Sequence, residues 1–149
     1  MRKHNGFTLV ELVVVVMILG ILAAVAAPKL LNTSSAAADN GIKQTLGVVR
    51  DAIERYAAEN GGNLPGTDDI TGDDLKADLV PYLRGAFPIC PVGGKNNNVK
   101  VTAGSSDPIE GEAFVADMDS WHYNSDTGQF ICNLQAETNS DDTVFYDEL

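Results

Sequence analysis

A single carboxylate, that of Glu11, lies inside an apolar stretch that runs from Phe7 to Ala27. An ionised carboxylate at the centre of a bilayer costs about 2.5–3.5 kcal/mol, so it calls for a cationic partner or a position near the membrane surface. As a helix the stretch would be about 31 Å long, enough to cross the hydrocarbon core. Glu11 is therefore the first residue for which we expect a functional role.

The two cysteines, Cys90 and Cys132, permit a single disulfide bond. By the loop-entropy model this bond would contribute about 4 kcal/mol to stability. The separation of the two cysteines in the sequence excludes a CxxC redox motif. We expect the disulfide because the membrane topology argued below places both residues outside the cytoplasm, where disulfides persist. The alternative is two buried free thiols.

Two acidic segments carry oxygen ligands at alternate positions, as calcium-binding loops do. Asp117 and Asp119 belong to the first segment, and Asn124 and Asp126 belong to the second, which ends at Gly128. Neither segment completes an EF-hand, and Asn-x-Asp-x-Gly is also ordinary turn chemistry. The sequence favours turns here, with calcium as the alternative, and indicates no other cofactor or metal.

Catalytic motifs are missing from this sequence. Apart from His4 near the N-terminus, His122 is the only histidine, and there is no G-x-S-x-G, H-E-x-x-H, P-loop or dinucleotide fingerprint. The 10 basic and 21 acidic side chains give a net charge of −11. An acidic surface repels phosphate, so we expect neither an enzyme nor a nucleic-acid-binding protein.

After Pro28 the apolar stretch changes into an amphipathic pattern. Apolar residues recur at spacings of three and four and form one stripe, which is typical of a helix packed on a core. The stripe consists of Ile42, Leu46, Val49, Ile53 and Tyr56. The pattern predicts one long helix from about Thr8 to Glu59, stopped by the glycines after Asn60.

The opposite face of this helix carries charged residues, among them Arg50. Two acid–base pairs have the favourable i, i+4 spacing, Asp39 with Lys43 and Asp51 with Arg55. Such pairs contribute about 0.2–0.5 kcal/mol each. We expect this face to be solvated.

The chain after Gly61 has the signals of a small α+β domain. A short helical segment spans residues 75–83, and strands are predicted at residues 98–102, 121–124 and 129–134, the last two joined by a turn. Residues 143–146 could add an edge strand. Trp121 and Tyr123 lie on one side of their strand and are predicted to fill the core. The expected fold class is α+β, with a long helix packed on a small antiparallel sheet.

The residues Gly6-Phe7-Thr8-Leu9-Val10-Glu11 follow a short basic leader and begin the apolar stretch. This motif closely resembles the N-terminus of type IV pilins and type II secretion pseudopilins. The resemblance implies cleavage between Gly6 and Phe7 by a prepilin peptidase, N-methylation of Phe7, and assembly into a helical filament. Pro28 matches the usual proline of the family and implies local melting of residues 20–28 on assembly. A simple kink is the alternative.

A second likeness covers residues 64–93. The order of Leu64-Pro65, Leu79–Leu83 and Phe87–Pro91 is similar to that of the G-type, or major, pseudopilins. The family often has an aspartate between the two last prolines, where this chain has Cys90. The acidic calcium loop of that group is not found in its usual form.

These observations predict four regions: a leader at 1–6, a membrane and filament-core helix at 7–28, its amphipathic continuation at 29–60, and an acidic globular region at 61–149. Arg2 and Lys3 place the N-terminus in the bacterial cytoplasm by the positive-inside rule. We expect a single-pass inner-membrane protein that then enters a periplasmic or extracellular filament.

The predicted function is that of a structural filament subunit, a pseudopilin of type II protein secretion. Its implied partners are further copies of itself, the prepilin peptidase and an inner-membrane assembly platform. One alternative is a type IV pilin for adhesion, motility or DNA uptake. Another is a membrane-anchored periplasmic binding module that never polymerises.

Overall fold

A computed structural model describes residues 7–66, 71–141 and 143–149, and for residues 27–35 it describes the backbone alone. The leader, residues 1–6, lies outside the described residues. The helices are α1, Leu9–Glu59, and α2, Gly72–Leu79, and 3-10 turns follow at Val80–Tyr82 and Tyr146–Glu148. The strands are β1, Val99–Thr102, β2, Trp121–Asn124, and β3, Phe130–Cys132.

Helix α1 confirms the prediction of one long helix. Its N-cap is Thr8, and its backbone is helical without interruption past Pro28 to Glu59. The helix ends at Asn60, whose backbone N–H still donates to the carbonyl of Tyr56. Gly61 follows with a φ of 68°, a left-handed conformation that glycine adopts without a steric penalty.

The second half of α1 packs on the globular region through the predicted apolar stripe. Ile42, Leu46, Val49 and Ile53 are all buried, and Tyr56 is partly buried against the same core. Ala52 is buried as well, which widens the stripe by one position. Because most helical stability in proteins comes from such an apolar face, this packing anchors the helix to the domain.

The charged face of α1 differs from the prediction at Arg50. Its guanidinium points towards the domain and donates to the carbonyl of Phe130 and to an oxygen of Leu149. The predicted i, i+4 ion pairs of α1 do not form. Within the described ranges the ion pairs are those of Lys76 with Asp73 and of Lys100 with Glu112.

The sheet is mixed, so the prediction of an antiparallel sheet was wrong for one pair of strands. The order is β1-β2-β3, with β1 parallel to β2 and β2 antiparallel to β3. A parallel pair needs a connection of a dozen or more residues, and the long segment 103–120 provides it. This segment returns along the outer face of β2 and buries His122 and Asn124 there.

The inner face of β2 faces the core, as predicted. Trp121 and Tyr123 are completely buried. The indole Nε1 of Trp121 donates to the carbonyl of Pro88, and the Tyr123 hydroxyl donates to the carbonyl of Pro65. These two bonds fix the segments before and after α2 against the sheet, while β2 and β3 form the predicted hairpin.

Helix α2 begins with a capping box, in which Thr71 and Asp74 satisfy each other's backbone N–H groups. Asp73 and Asp74 lie in the first turn of α2, where the helix dipole favours a negative charge. Leu75 and Leu79 are buried in the core. Gly72 is required by close packing, since a Cβ at this position would lie 2.2 Å from the carbonyl oxygen of Val99 in β1.

The C-terminal segment does not form the predicted edge strand. It makes one antiparallel bridge, between Glu137 and Phe145, and then turns into the second 3-10 turn. That turn places Tyr146 in the core beside α1. The architecture as a whole is α+β, a long helix with a small three-stranded sheet on its second half.

Candidate functional site

The first half of α1 is apolar and completely uncovered. Residues Leu9–Ala26 have a mean hydropathy of 2.9, and none of them is buried in the subunit. By length and composition this segment can cross a membrane. An apolar surface of this size also suits the packing of several helices together, so the segment is the main candidate for assembly.

Glu11 is held at the start of this segment by Thr8. The Glu11 carboxylate accepts from the Thr8 backbone N–H at 2.9 Å and from the Thr8 hydroxyl at 2.7 Å. The Thr8 hydroxyl in turn accepts from the backbone N–H of Glu11. This capping box fixes the carboxylate at the first turn, where the helix dipole also favours a negative charge.

Phe7 precedes the helix and is exposed, and Thr8 has an extended backbone with φ of −83° and ψ of 151°. Gly6, the other residue of the predicted cleavage site, lies outside the described residues. Because α1 starts at Leu9, removal of residues 1–6 would leave the helix and its capping box intact. Cleavage would create an amino group on Phe7, which precedes Glu11 by four residues.

Pro28 lies at a position where the backbone of α1 remains helical. A proline inside a helix removes one backbone donor, so the helix is weakened around this point. The predicted melting of residues 20–28 concerns the assembled filament, whereas the structure is that of one subunit. It therefore stays a prediction.

Cys90 and Cys132 are brought together in the core. Both are fully buried, and their Sγ atoms lie 3.7 Å apart as free thiols. The pairing predicted from the sequence thus matches the spatial neighbours, while the bond itself stays a prediction.

Two of the four calcium candidates, Asn124 and Asp126, make side-chain hydrogen bonds within the fold, and the Asp119 carbonyl accepts from the Asn133 side chain. The Asn124 carboxamide oxygen accepts from the backbone N–H groups of Asp126 and Thr127, which is an Asx turn. Asp126 caps the backbone of Ser105. Asp117 is exposed at a turn with a φ of 60°. In the described ranges no three His, Cys, Asp or Glu side chains are grouped so that they could hold a metal.

His122 is a structural residue. One ring nitrogen, Nδ1, lies 3.1 Å from the carbonyl oxygen of Glu110, and the other, Nε2, lies 2.8 Å from the Thr102 hydroxyl. Burial lowers the pKa of the imidazole and favours its neutral form. With Nδ1 as the donor, both ring nitrogens are satisfied without a ligand.

A buried carboxylate on α1 escaped the sequence-based prediction. Asp39 is 1% exposed, and its Oδ1 accepts from the Tyr146 hydroxyl at 2.8 Å. Burial disfavours the ionised form, but the polar groups of Ser140, Tyr146 and Asn139 outweigh it and lower the pKa of Asp39. The signal was present in the sequence, because Asp39 precedes Ile42 by three residues and so continues the apolar stripe.

Comparison with known proteins bears directly on this N-terminal segment. The family model described as the prokaryotic N-terminal methylation motif matches residues 1–27. The matched region includes Gly6, Phe7 and Glu11. No solved structure matches the chain.

Several relatives share this segment and some extend beyond it. The chain is 40% identical to the Type IV narrow pilus major component PilA5 of Thermus thermophilus over an alignment of 114 residues in length, which covers 67% of this chain and 97% of the relative. It is 40% identical to the Type II secretion system core protein G of Vibrio cholerae over 60 residues, 40% of this chain and 41% of that protein. It is 41% identical to the Fimbrial protein EcpB of Eikenella corrodens over 61 residues, 41% of this chain and 38% of that protein.

The chain thus spans about two fifths of the length of the secretion and fimbrial relatives, and nearly all of the narrow-pilus protein. An alignment of 114 residues is longer than α1 and therefore includes part of the globular region. Together with the exposed apolar helix and the capped Glu11, this alignment decides the family. The chain belongs to the family of type IV pilins and type II secretion pseudopilins.

Proposed function

We propose that the protein is the structural subunit of a helical filament, assembled through the first half of α1. The observation that carries the proposal is one continuous helix in which residues Leu9–Ala26 are all exposed and the apolar stripe of the second half is buried against the domain. In water the exposed half would be strongly unfavourable. A membrane before assembly and a bundle of neighbouring helices after it both remove this surface from water.

Processing by a prepilin peptidase is the second part of the proposal. The peptidase cuts between Gly6 and Phe7, and the new N-terminus of Phe7 becomes methylated. The match of residues 1–27 to the methylation motif supports this step. The extended backbone at Thr8 supports it too, since cleavage then leaves α1 undisturbed.

The role of Glu11 follows from the desolvation of its charge. In a filament core without water, an unpaired carboxylate is strongly unfavourable, and breaking a buried pair costs about 3–5 kcal/mol. The amino group of Phe7 on a neighbouring subunit would supply the cation that pairs with it. Glu11 therefore acts as a register pin, because a subunit inserted at the wrong height leaves its carboxylate unpaired.

Two filament systems are compatible with this subunit. The protein G relatives and the order of prolines in residues 64–93 favour a pseudopilin of type II protein secretion. The narrow-pilus relative, which the chain covers almost completely, favours a type IV pilin. In either system the subunit is inserted into the inner membrane with a cytoplasmic N-terminus and handed to an assembly platform there. Deletion of the gene would abolish secretion of exported proteins in the first case and surface pili in the second.

Mass spectrometry of the purified protein tests the proposal. We expect a mature chain that begins at methylated Phe7, recovered from sheared filaments. A chain with an intact Met1, or one that begins at Ala27 or Pro28, would instead indicate a plain anchor or a secreted protein. Either start site would favour a binding module that does not polymerise.

A further inference from the structure

An apolar groove runs along one flank of α1, between the helix and the segment that follows the first 3-10 turn. We call it the Val48 groove; it is lined by Thr45, Val48, Leu83, Arg84, Ala86 and Pro88 and has a volume of about 300 Å³. Val48 lies on the floor of the groove, and its exposed fraction is 48%. A second hollow of about 240 Å³ shares Val48 and Arg84 and extends the groove towards Arg55. An apolar depression of this kind on a displayed domain suits a protruding apolar side chain.

The rim of the groove is positively charged, unlike most of this acidic protein. Arg55 and Arg84 are exposed there, and within the described ranges neither forms an ion pair. Asp51 also borders the extension, so the local balance is two cations to one anion. The globular region has 16 acidic and four basic residues, so a positive rim is a local exception. Its partner should be apolar in the middle and acidic around it.

A surface of that description lies on the connection between β1 and β2. Phe114 and Val115 are 63% and 56% exposed, and with Ala113 and Ala116 they form what we call the Phe114 knob. Glu110 and Asp117, both exposed, lie on either side of the knob. Two large, adjacent apolar side chains that are both exposed to solvent are typical of a contact surface.

The knob is held in place at both of its ends. Before it, the Glu112 carbonyl accepts from the backbone N–H of Gln135, and the Glu112 carboxylate pairs with Lys100 at 2.6 Å. After it, the backbone N–H of Met118 donates to the carbonyl of Val115, and Met118 is buried. A knob that is already ordered loses little entropy on binding.

Within one subunit the knob and the groove lie on opposite flanks of α1. Arg50 follows Val48 by two residues, which is a rotation of about 200° around a helix. Arg50 lines a hollow on the far flank together with Glu110, next to the knob. The segment that leads into the knob therefore lies on the opposite flank of α1 from the groove of its own subunit.

We propose that the Phe114 knob of one subunit docks into the Val48 groove of its neighbour in the filament. The contact is heterologous, since it joins two different surfaces, and repeated head-to-tail contacts of this kind generate an open helical array. Apolar burial provides the attraction, while Glu110 and Asp117 approach the Arg55 and Arg84 rim. This inference rests on the proposed function and adds the contact that the displayed domains make.

Cross-linking in assembled filaments tests the contact directly. The variants are Ala113→Cys, in the knob, and Gln44→Cys, on the lining of the groove; both leave Phe114 and Val48 in place. A short bismaleimide should convert the double variant into a ladder of dimers, trimers and longer oligomers. Neither single variant should give more product than the wild-type chain, whose native cysteines are buried. Absence of the ladder from the filaments, or an equal yield of dimers from one single variant, would overturn the inference.

A charged substitution in the knob provides a second readout. Phe114→Asp should lower the filament yield about tenfold or more, because the substitution places a carboxylate in an apolar contact. Val80→Asp is the matched control, since Val80 is an exposed apolar residue outside both surfaces. It should assemble normally. Both variants should keep the melting temperature of the wild type. Equal yields from Phe114→Asp and Val80→Asp would contradict the docking.

These tests separate the docking inference from the proposed function. If wild-type filaments form with methylated Phe7 but the ladder is absent, the docking contact is wrong and the filament function stands. If the wild-type chain is processed elsewhere and forms no filaments, the proposed function fails and the docking contact fails with it.

Discussion

The Glu11 side chain caps helix α1 in the subunit, and we propose that it has a second role in assembly. In the subunit the Glu11 carboxylate caps the helix through Thr8, and this requires only a hydrogen-bond acceptor. In the filament the proposed role requires a charge. These two requirements can be separated by substitution, because glutamine keeps the acceptor and loses the charge.

We expect both Glu11→Ala and Glu11→Gln to enter the membrane and to be cleaved before Phe7, but to assemble poorly. The loss of the charge leaves the amino group of the neighbouring Phe7 unpaired in the filament core. The measurement is the amount of sheared filament relative to the membrane-bound subunit. Wild-type yield from Glu11→Gln would show that capping alone matters and would contradict the register pin.

The buried pair of Asp39 and Tyr146 makes a prediction about stability. Burial and the hydrogen bond to Asp39 raise the pKa of Tyr146 to about 12, so the hydroxyl remains a donor at neutral pH. Tyr146→Phe removes this donor from a charged acceptor and should lower the free energy of unfolding by about 1.5–3 kcal/mol at pH 7. Thermal or denaturant melts of the full chain in detergent measure the difference.

The pH dependence of that difference follows from the lowered pKa of Asp39. A carboxyl whose pKa is lower in the folded state stabilises the fold above its unfolded pKa, and this contribution disappears as the pH falls through the folded value. The advantage of the wild type over Tyr146→Phe should therefore be constant near neutral pH and shrink below about pH 4. A difference that persists unchanged at pH 2 would argue against an ionised Asp39.

Single residues were predictable where periodicity determines the environment. The stripe from Ile42 to Ile53 was predicted because a helix places such residues on one face. The burial of Asp39 and the inward direction of Arg50 were missed, because a charged residue near a stripe is normally assigned to the solvated face. Their partners, Tyr146 and the carbonyl of Phe130, lie far away in sequence and become neighbours only through the fold.

At the scale of elements, Arg50 joins α1 to the sheet. Its guanidinium donates to the Phe130 carbonyl in β3 at 2.9 and 3.1 Å and to Leu149 at 3.0 Å. Arg50→Met keeps much of the apolar side chain and removes these bonds, so we expect a loss of about 2 kcal/mol. Arg55→Met is the control, since Arg55 is exposed on the same helix, and it should change stability by less than about 0.5 kcal/mol. Equal effects from the two variants would argue against a stabilising role of the Arg50 hydrogen bonds.

Cys90 and Cys132 form the second connection between elements, from the segment after α2 to β3. Their sulfur atoms are neighbours in the buried core, so oxidation would need only a small movement. We expect protein from an oxidising compartment to be lighter than the reduced chain by two hydrogen atoms. Reduction, or the double substitution to serine, should lower stability by up to about 4 kcal/mol. Unchanged mass and full reactivity with thiol reagents after unfolding would identify two free thiols.

The elements themselves were more predictable than their arrangement. Strand positions follow from alternation and turn residues, so β2, β3 and their hairpin were predicted correctly. Strand direction depends on the path of the connection, and the segment 103–120 carries no periodic signal. Its course over His122 and Asn124 makes β1 parallel to β2, and the same course presents Phe114 to solvent.

For the molecule as a whole, the apolar residues are concentrated near the N-terminus and the negative charge is concentrated in the globular region. The mean hydropathy of −0.04 is the average of an apolar helix and an acidic domain. The exposed half of α1 favours the polymer, while 16 acidic residues on the globular region keep the displayed surface soluble. We expect the apolar segment to act in membrane insertion and polymerisation, and the acidic surface to act in the assembled filament.

Cryo-electron microscopy of filaments sheared from cells that express the wild-type chain tests the central claim most directly. We predict a helical array of this subunit, with residues 7–26 in the core, the acidic domain outside, and the Glu11 carboxylate within ion-pair distance of the amino group of a neighbouring Phe7. Particles without this subunit, or a protein found only as a monomer in the membrane fraction with residues 1–6 still attached, would contradict the account.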